Sequence, residues 1–542
     1  TNGHSRAGRS RSDSGPLSRM IGPVALNHPT SCFLFHLRLW AVCVLLFAPA
    51  LVWAGEEPFE ANRLEVPGRP VQVWTGAFSA GCPNRTQDLL VISVDGIPPN
   101  ERRRILLFPC TANPRGDSSG VREFAVGSDV VAVDTDPHGH QLLLLSAKGL
   151  ELISLADPEI RREIRIPDGL PLIPRSRGLS RIPMVGPWGP NGKPAVLLPT
   201  LKGALVVDLL DEDRHALAFP MIADYATQAP GLPDPTDPFL SASFSWPLLL
   251  AGHDTADGRL DLFALTRWTM TVFRAGEAGL PGSPSRQIEI HPFEDSHEIR
   301  PEQSKASYRI VDLDSNGLSD LVLHRSWGSL MQGRAVTSLY LNRGDGPRPD
   351  GPPDAQRVLD DGFSSIEFLD LDGDGWLEGV ETSMQFGLVQ VVRMLLTRSG
   401  KATLRILSVG QTEPHSITST WEGDLHFKID FAQARIEGLY PILGTDWNAD
   451  GRKDMLFVES KGKMAIRLGR AGASGPSFGK TAARQAVDLR AGRTSVADLD
   501  GDGLEDLIVY DPQTADGDLL LYYNRGTLPG TPADLEAGSR KN

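Results

Sequence analysis

Cysteine is scarce, with four in 542 residues, and Cys32 and Cys43 lie in an N-terminal segment expected to be removed. That leaves Cys82 and Cys110, one pair rather than a disulfide framework. Positive charge is also short: 54 Lys and Arg against 68 Asp and Glu give a net charge of −14. Phosphate contacts need a basic surface, so nucleic acid is excluded as the expected partner. After residue 54 no segment has the unbroken apolar length needed to span a bilayer. No nucleophile–base arrangement stands out, so no catalytic residue is assigned and enzymatic activity stays open. Glycine (55) and proline (42) are plentiful, about 18% of the chain, which suits many turns between short strands.

Residues 1–19 are rich in Arg, Ser and Gly, and Met20 is a plausible start. Arg38 precedes the apolar stretch LWAVCVLLFAPALVWA (39–54), which ends in Val52-Trp53-Ala54. This reads as a secretory signal cleaved after Ala54, with an uncleaved membrane anchor as the alternative. The mature chain then carries about −18, because the first 54 residues hold five arginines and one aspartate. Export makes a Cys82–Cys110 disulfide reasonable, since the pair flanks a predicted hairpin of DLLVISV (88–94) and RRILLF (103–108). Two free thiols are the alternative.

The most informative feature is self-similarity. Four segments share one pattern: DLDSNGLSD (312–320), DLDGDGWLE (370–378), DWNADGRKD (446–454) and DLDGDGLED (498–506). Oxygen-bearing side chains occupy positions 1, 3, 5 and 9, glycine occupies position 6, and an apolar run follows. Weaker copies precede them. HDTADGRLDLFAL (253–265) keeps Asp257, Gly258 and Asp261, and GPNGKPAVLLP (189–199) keeps Asn191 and Gly192. DTDPHGHQLLLL (134–145) keeps Asp134, Asp136 and Gly139, and NRTQDLLVIS (84–93) keeps Asn84 and Asp88.

The position-9 residues, 88, 142, 195, 261, 320, 378, 454 and 506, are spaced by 52 to 76 residues. A period holding four short strands describes one blade of a β-propeller. The expected fold is all-β, a single propeller of eight blades, or seven if the weakest copy is a stray hairpin. Each blade is a four-stranded antiparallel sheet. The last copy leaves little chain after LLLYYN, so NRLEVPG (62–68) or RPVQVW (69–74) is expected to supply its outer strand and close the ring. The expected organisation is a leader and signal over 1–54, the propeller over 62–527 and a tail over 528–542.

The loop pattern suits calcium, a hard cation that takes about six to eight oxygen ligands. The candidate ligands are Asp312, Asp314, Asn316 and Asp320; Asp370, Asp372, Asp374 and Glu378; Asp446, Asn448, Asp450 and Asp454; and Asp498, Asp500, Asp502 and Asp506. Position 7 would add the backbone carbonyl of Leu318, Trp376, Arg452 or Leu504. Glycine at position 6 permits the positive-φ bend. An EF-hand is rejected, because only Glu381 meets its position-12 requirement and every loop runs into β-type sequence. The metal-free alternative is a turn rich in Asp, Asn and Gly, which remains the better reading for the four degenerate copies. At their ligand positions the four full loops hold 14 carboxylates, which would repel one another without a cation.

These loops, with their following strands and the LYLNRGDG-type hairpin (339–346), resemble the FG-GAP/VCBS repeat family and the calcium-bearing blades of integrin α-subunit propellers. The resemblance covers roughly 70–527, most specifically from 300 onward. It implies about four Ca²⁺ sites on the sixteen side chains named above; Glu378 departs from the usual aspartate. It does not fix a ligand, since the family includes adhesion receptors, lectin-like binders and some enzymes. The leading expectation is an exported scaffold binding a protein or carbohydrate. The alternatives are a carbohydrate-active enzyme on a calcium-bearing propeller and a structural subunit of a surface assembly.

Several local signals have simpler readings. SGPSFGKT (474–481) nearly spells a phosphate-binding loop but lacks its first glycine. Arg343-Gly344-Asp345 is explained by hairpin-turn chemistry, and Trp376 and Trp447 by packing against a neighbouring blade. Asn84-Arg85-Thr86 is a glycosylation sequon. Long gaps at about 209–250 and 383–444 are candidate binding loops.

Overall fold

The second strand of each repeat is an apolar run rather than an alternating one, which requires burial on both faces. A computed structural model places these runs between neighbouring blades. It describes residues 57–532 except 80–85, 98–99, 111–119, 167–178, 201, 220–221, 227–240, 294–303, 330–331, 386, 413–414, 431–434, 438–440, 460–462, 473–474, 488–492 and 514–516. The leader, the signal, Cys82 and Asn84 lie outside the described residues.

The chain begins with β1 (Phe59–Glu65). Blade 1 holds β2 (Arg69–Gly76), β3 (Asp88–Asp95), β4 (Arg102–Phe108) and β5 (Arg122–Val126). Blade 2 holds β6 (Val130–Thr135), β7 (Gln141–Ser146), β8 (Gly149–Ser154) and β9 (Arg161–Arg165). Blade 3 holds β10 (Val185–Gly186), β11 (Ala195–Thr200), β12 (Gly203–Asp208) and β13 (Arg214–Ala218). A separate hairpin, β14 (Ile222–Ala226) with β15 (Ser241–Ser245), precedes blade 4. Blade 4 holds β16 (Leu248–Gly252), β17 (Asp261–Leu265), β18 (Thr269–Phe273) and β19 (Arg286–Glu289). Blade 5 holds β20 (Ser304–Val311), β21 (Asp320–Ser329), β22 (Gln332–Tyr340) and β23 (Ala355–Asp360).

Blade 6 is larger. It has β24 (Phe363–Leu369), β25 (Glu378–Met384), helix α1 (Leu388–Thr397), β26 (Ser399–Val409), β27 (Ile417–Asp430) and a fifth strand, β28 (Arg435–Glu437). Blade 7 holds β29 (Ile442–Thr445), β30 (Asp454–Val458), β31 (Lys463–Arg470) and β32 (Ser477–Ala486). Blade 8 holds β33 (Arg493–Ala497), β34 (Asp506–Tyr510) and β35 (Asp518–Asn524), with β1 as its fourth strand.

Eight blades are therefore present, not seven. Ring closure follows the first of the two expected routes: β1 pairs with β35 from Phe59↔Asn524 to Glu65↔Asp518. The alternative segment, 69–74, is instead the first strand of blade 1. Eight apolar clusters join blades 1–2, 2–3, 3–4, 4–5, 5–6, 6–7, 7–8 and 8–1. Strand periodicity divides each second strand between two of them. In β3, Leu90 and Ile92 face blade 2, while Leu89 and Val91 face blade 8. Fourth strands carry charge outward, as Arg161, Arg162 and Glu163 of β9 do, which protects the exposed edge.

Antiparallel order fixes two ends of the ring. Connections between first and second strands, and between third and fourth, emerge at one end. Those between second and third strands, and from blade to blade, emerge at the other. All four full loops lie between first and second strands, at the first end.

The other predicted features have definite places. Cys110 follows β4 and is disulfide-bonded. The near-phosphate loop instead runs into strand β32. Arg343-Gly344-Asp345 lies between β22 and β23, where both Gly344 N–H and Gly346 N–H donate to Asn342 Oδ1.

Candidate metal centres

Each full loop starts on the residue after a first strand and ends on the first residue of a second strand: 312–320, 370–378, 446–454 and 498–506. Position 1 organises the turn. One oxygen of Asp312, Asp370, Asp446 or Asp498 accepts the position-6 glycine N–H at 2.9, 3.1, 2.7 and 3.0 Å respectively. Those glycines, Gly317, Gly375, Gly451 and Gly503, have φ between 82 and 91°. A second left-handed residue sits at position 4, which the sequence reading did not single out. It is Ser315 (φ 57°), Gly373 (82°), Ala449 (54°) or Gly501 (75°). Position 5 then accepts the position-7 N–H: Asn316 from Leu318, Asp374 from Trp376, Asp450 from Arg452 and Asp502 from Leu504.

Position 9 is a buried strut. Asp320 accepts Leu313 N–H at 2.7 Å on one oxygen and Asn342 N–H at 2.6 Å on the other. Asp506 does the same with Leu499 (2.9 Å) and Asn524 (2.8 Å), and Asp454 with Trp447 and Gly469, both at 2.8 Å. Glu378 accepts Leu371 N–H at 3.0 Å. The position-2 side chains, Leu313, Leu371, Trp447 and Leu499, are buried in the clusters between blades. Trp447 stacks edge-on against Phe59 of the closing strand, so it is a packing residue; Trp376 is half-buried.

Two asparagines missed in the sequence extend this framework. Asn342 is fully buried; its Nδ2 donates to Asp254 O in blade 4, and its N–H reaches Asp320 in its own blade. Asn524 repeats this with Trp447 O in blade 7 and Asp506 in blade 8. Both belong to the recurring Asn-Arg-Gly of the hairpins, which was the signal available in the sequence.

The acidic side chains converge in three loops. Oxygens of Asp312, Asp314 and Asp320, of Asp370, Asp372 and Asp374, and of Asp498, Asp500 and Asp506 each lie within 4.8 Å of one another. The third loop differs: Asn448 Nδ2 donates to Asp450 Oδ2 and Pro529 O, and Arg452 lies 3.7 Å from Asp450.

Burial raises the carboxyl groups of Asp320, Glu378, Asp454 and Asp502 to about 7, with nearby carboxylates adding to the shift and backbone N–H donors opposing it. Burial likewise raises Asp314, Asp372 and Asp500, and it puts Asp506 well above the ordinary range. Asp372 Oδ1, Asn448 Oδ1 and Asp502 Oδ2 are buried acceptors with no hydrogen-bond donor. Such orphans are costly, and an all-oxygen donor set with free buried lone pairs fits a hard divalent cation.

The degenerate copies keep part of this frame. In blade 4, Asp261 accepts Asp254 N–H and Ala275 N–H, both at 2.8 Å. Asp254, at position 2 and fully buried, is gripped by Arg274 (2.7 Å) and Arg286 (2.6 Å). In blade 1, Asp88 accepts Phe78, Ser79 and Cys110 N–H. Blades 2 and 3 have Leu142 and Ala195 at position 9 and therefore no such strut.

The family model described as FG-GAP-like repeat matches residues 446–509, from the first loop residue of blade 7 into the second strand of blade 8. No curated protein matches. Among solved structures, the chain is similar to BBS1N, crystallised with ARL6DN, at 8% identity and TM-score 0.32, covering 88% of this chain and 99% of that one. It is similar to the WD40 domain of SCAP from fission yeast at 9% identity and TM-score 0.34, covering 89% and 100%. It is also similar to an Agrocybe aegerita lectin for terminal N-acetylglucosamine at 15% identity and TM-score 0.26, covering 63% and 86%. The chain is an eight-bladed β-propeller, and residues 446–509 carry the FG-GAP-like repeat.

Proposed function

We propose that this protein is an exported propeller that binds Ca²⁺ in its four full loops and serves as a rigid scaffold for a protein or carbohydrate ligand. One observation carries the metal reading: buried acceptors without donors, Asp372 Oδ1 and Asp502 Oδ2, sit inside loops where carboxylates converge. The sixteen side chains at positions 1, 3, 5 and 9 would hold the ions, with the position-7 carbonyls beside them. Bound calcium supplies positive charge that offsets the 14 carboxylates. Metal held only by the folded loop stabilises that fold by mass action.

Export is supported by the disulfide at Cys110, because such bonds persist in oxidising compartments. The scaffold role rests on the rigid ring and on the FG-GAP-like repeat. Chelation of the mature chain should lower its melting temperature, and calcium added in excess should restore it. An unchanged melting curve after chelation would sink the metal reading. A protein and glycan array with the calcium-loaded chain tests the scaffold role; binding to no component of either array overturns it.

A further inference from the structure

The enlarged blade 6 carries an apolar helix whose outward face no described residue covers. Helix α1 connects β25 to β26, a second-to-third connection, so it stands at the end of the ring away from the acidic loops. Val391 and Met394 are half-buried toward the blade, and Met394 packs against the core between blades 6 and 7. The outward stripe is Leu388, Val389, Val392, Leu395 and Leu396, all exposed, with Val389 80% and Leu396 79% accessible. These positions follow helical spacing, so one face grips the protein and the other presents leucine and valine outward.

Other exposed apolar residues share that end. Ile97 lies between β3 and β4, Trp268 between β17 and β18, and Leu248 opens β16. Of the ten large apolar side chains exposed among the described residues, only Ile160 and Leu210 lie at the loop end.

We propose that this end of the propeller docks on a lipid bilayer, with α1 lying in the interface. Two observations favour a bilayer over a second copy of the chain. A stable protein interface takes about 20–30 residues a side in one fitted patch. Here the apolar groups are a ten-residue helix on blade 6 and separate side chains on blades 1 and 4, which a fluid bilayer accepts one by one. Charge agrees. Arg393 and Arg398, on and just after α1, are exposed and make no ion pair among the described residues, so they are placed to meet headgroup phosphates. The 14 loop carboxylates, which would repel an anionic surface, sit at the other end. At about 1.5 Å per residue α1 is about 15 Å long, half the hydrocarbon thickness, so it lies on the membrane and does not cross it. No helix among the described residues is long and apolar enough to cross.

Flotation of the calcium-loaded mature chain with vesicles of phosphatidylcholine containing one-third phosphatidylglycerol tests this. The wild-type chain should float with the vesicles. The double variant Val389→Asp, Leu396→Asp should lose at least tenfold in vesicle partitioning with an unchanged melting temperature. Arg393→Glu with Arg398→Glu should weaken binding to these vesicles more than to neutral ones. A wild-type chain that stays with the soluble fraction, or a Val389/Leu396 variant that floats equally well, overturns the proposal. So does light scattering that finds a dimer which the same variant converts to monomer, because the stripe would then be a protein interface.

Discussion

The loops of blade 8 and blade 4 share a frame and differ in how they handle charge. In both, an acid opens the second strand and accepts two backbone N–H groups, Leu499 and Asn524 for Asp506, and Asp254 and Ala275 for Asp261. The strut is thus shared by a full loop and a degenerate one, although blades 2 and 3, with Leu142 and Ala195 at that position, lack it. The remaining carboxylates part company. Blade 8 crowds Asp498, Asp500 and Asp506 together and leaves Asp502 Oδ2 without a donor. Blade 4 has His253 and Thr255 at positions 1 and 3, moves an acid to position 2, and supplies its own cations, Arg274 and Arg286. On the proposed reading an external ion would neutralise the first loop, whereas the second is neutralised by the chain itself.

Three substitutions probe that difference. Asp254→Ala has the largest expected effect, because it strands the mostly buried Arg286 without its carboxylate; the more exposed Arg274 can turn to water. A loss of about 3 kcal/mol is expected in chemical denaturation. The loss should be the same with calcium or with chelator, and a calcium-dependent loss would break the comparison.

Asp500→Ala should act in the opposite manner. With calcium about 100-fold above its dissociation constant, removing one occupied site costs about 2 to 3 kcal/mol. In chelator the variant should be at least as stable as the wild type, since one member of a repelling cluster is gone. Calorimetric titration should show one site fewer; full stoichiometry would remove Asp500 from the ligand set.

Ala449→Gly has the smallest expected effect. Ala449 holds φ 54° at loop position 4, where blades 6 and 8 have glycine. Relief of that strain, less the added entropy of glycine, should stabilise by about 0.5 to 1 kcal/mol. A lower melting temperature would show that the alanine side chain contributes packing that outweighs the strain.

Much of the ring was legible because its causes are local and repeated. Apolar second strands, glycine-bearing loops and a regular spacing together gave eight blades, and the incomplete last copy pointed to a strand from the N-terminal side. The positions of Asp320, Glu378, Asp454 and Asp506 at the starts of second strands were also readable, because an apolar run follows each. What escaped depends on contacts distant in sequence. Nothing near Asp254 announces Arg274 and Arg286, which arrive from the later strands of the blade. Asn342 and Asn524 look like turn residues until their amides are seen reaching the preceding blade. The 383–444 insertion was visible only as a long gap. Ser315 and Ala449 escaped because neither residue type advertises a left-handed backbone.

The β1–β35 pairing also governs the order of folding. Blades 1 to 7 are each built from contiguous chain, so each can form from local contacts soon after its residues are available. Blade 8 joins the segment that begins at Phe59 to three strands ending at Asn524, so its sheet requires the loop of largest sequence separation to close. Until then β1 and the β35 edge of blade 8 stay unpaired and invite association with other chains. Trp447 of the blade 7 loop packs on Phe59 at this seam, and Asp506, which ends the blade 8 loop, accepts the N–H of Asn524, the partner of Phe59. Late steps of folding are therefore concentrated where the repeat sequence is best preserved.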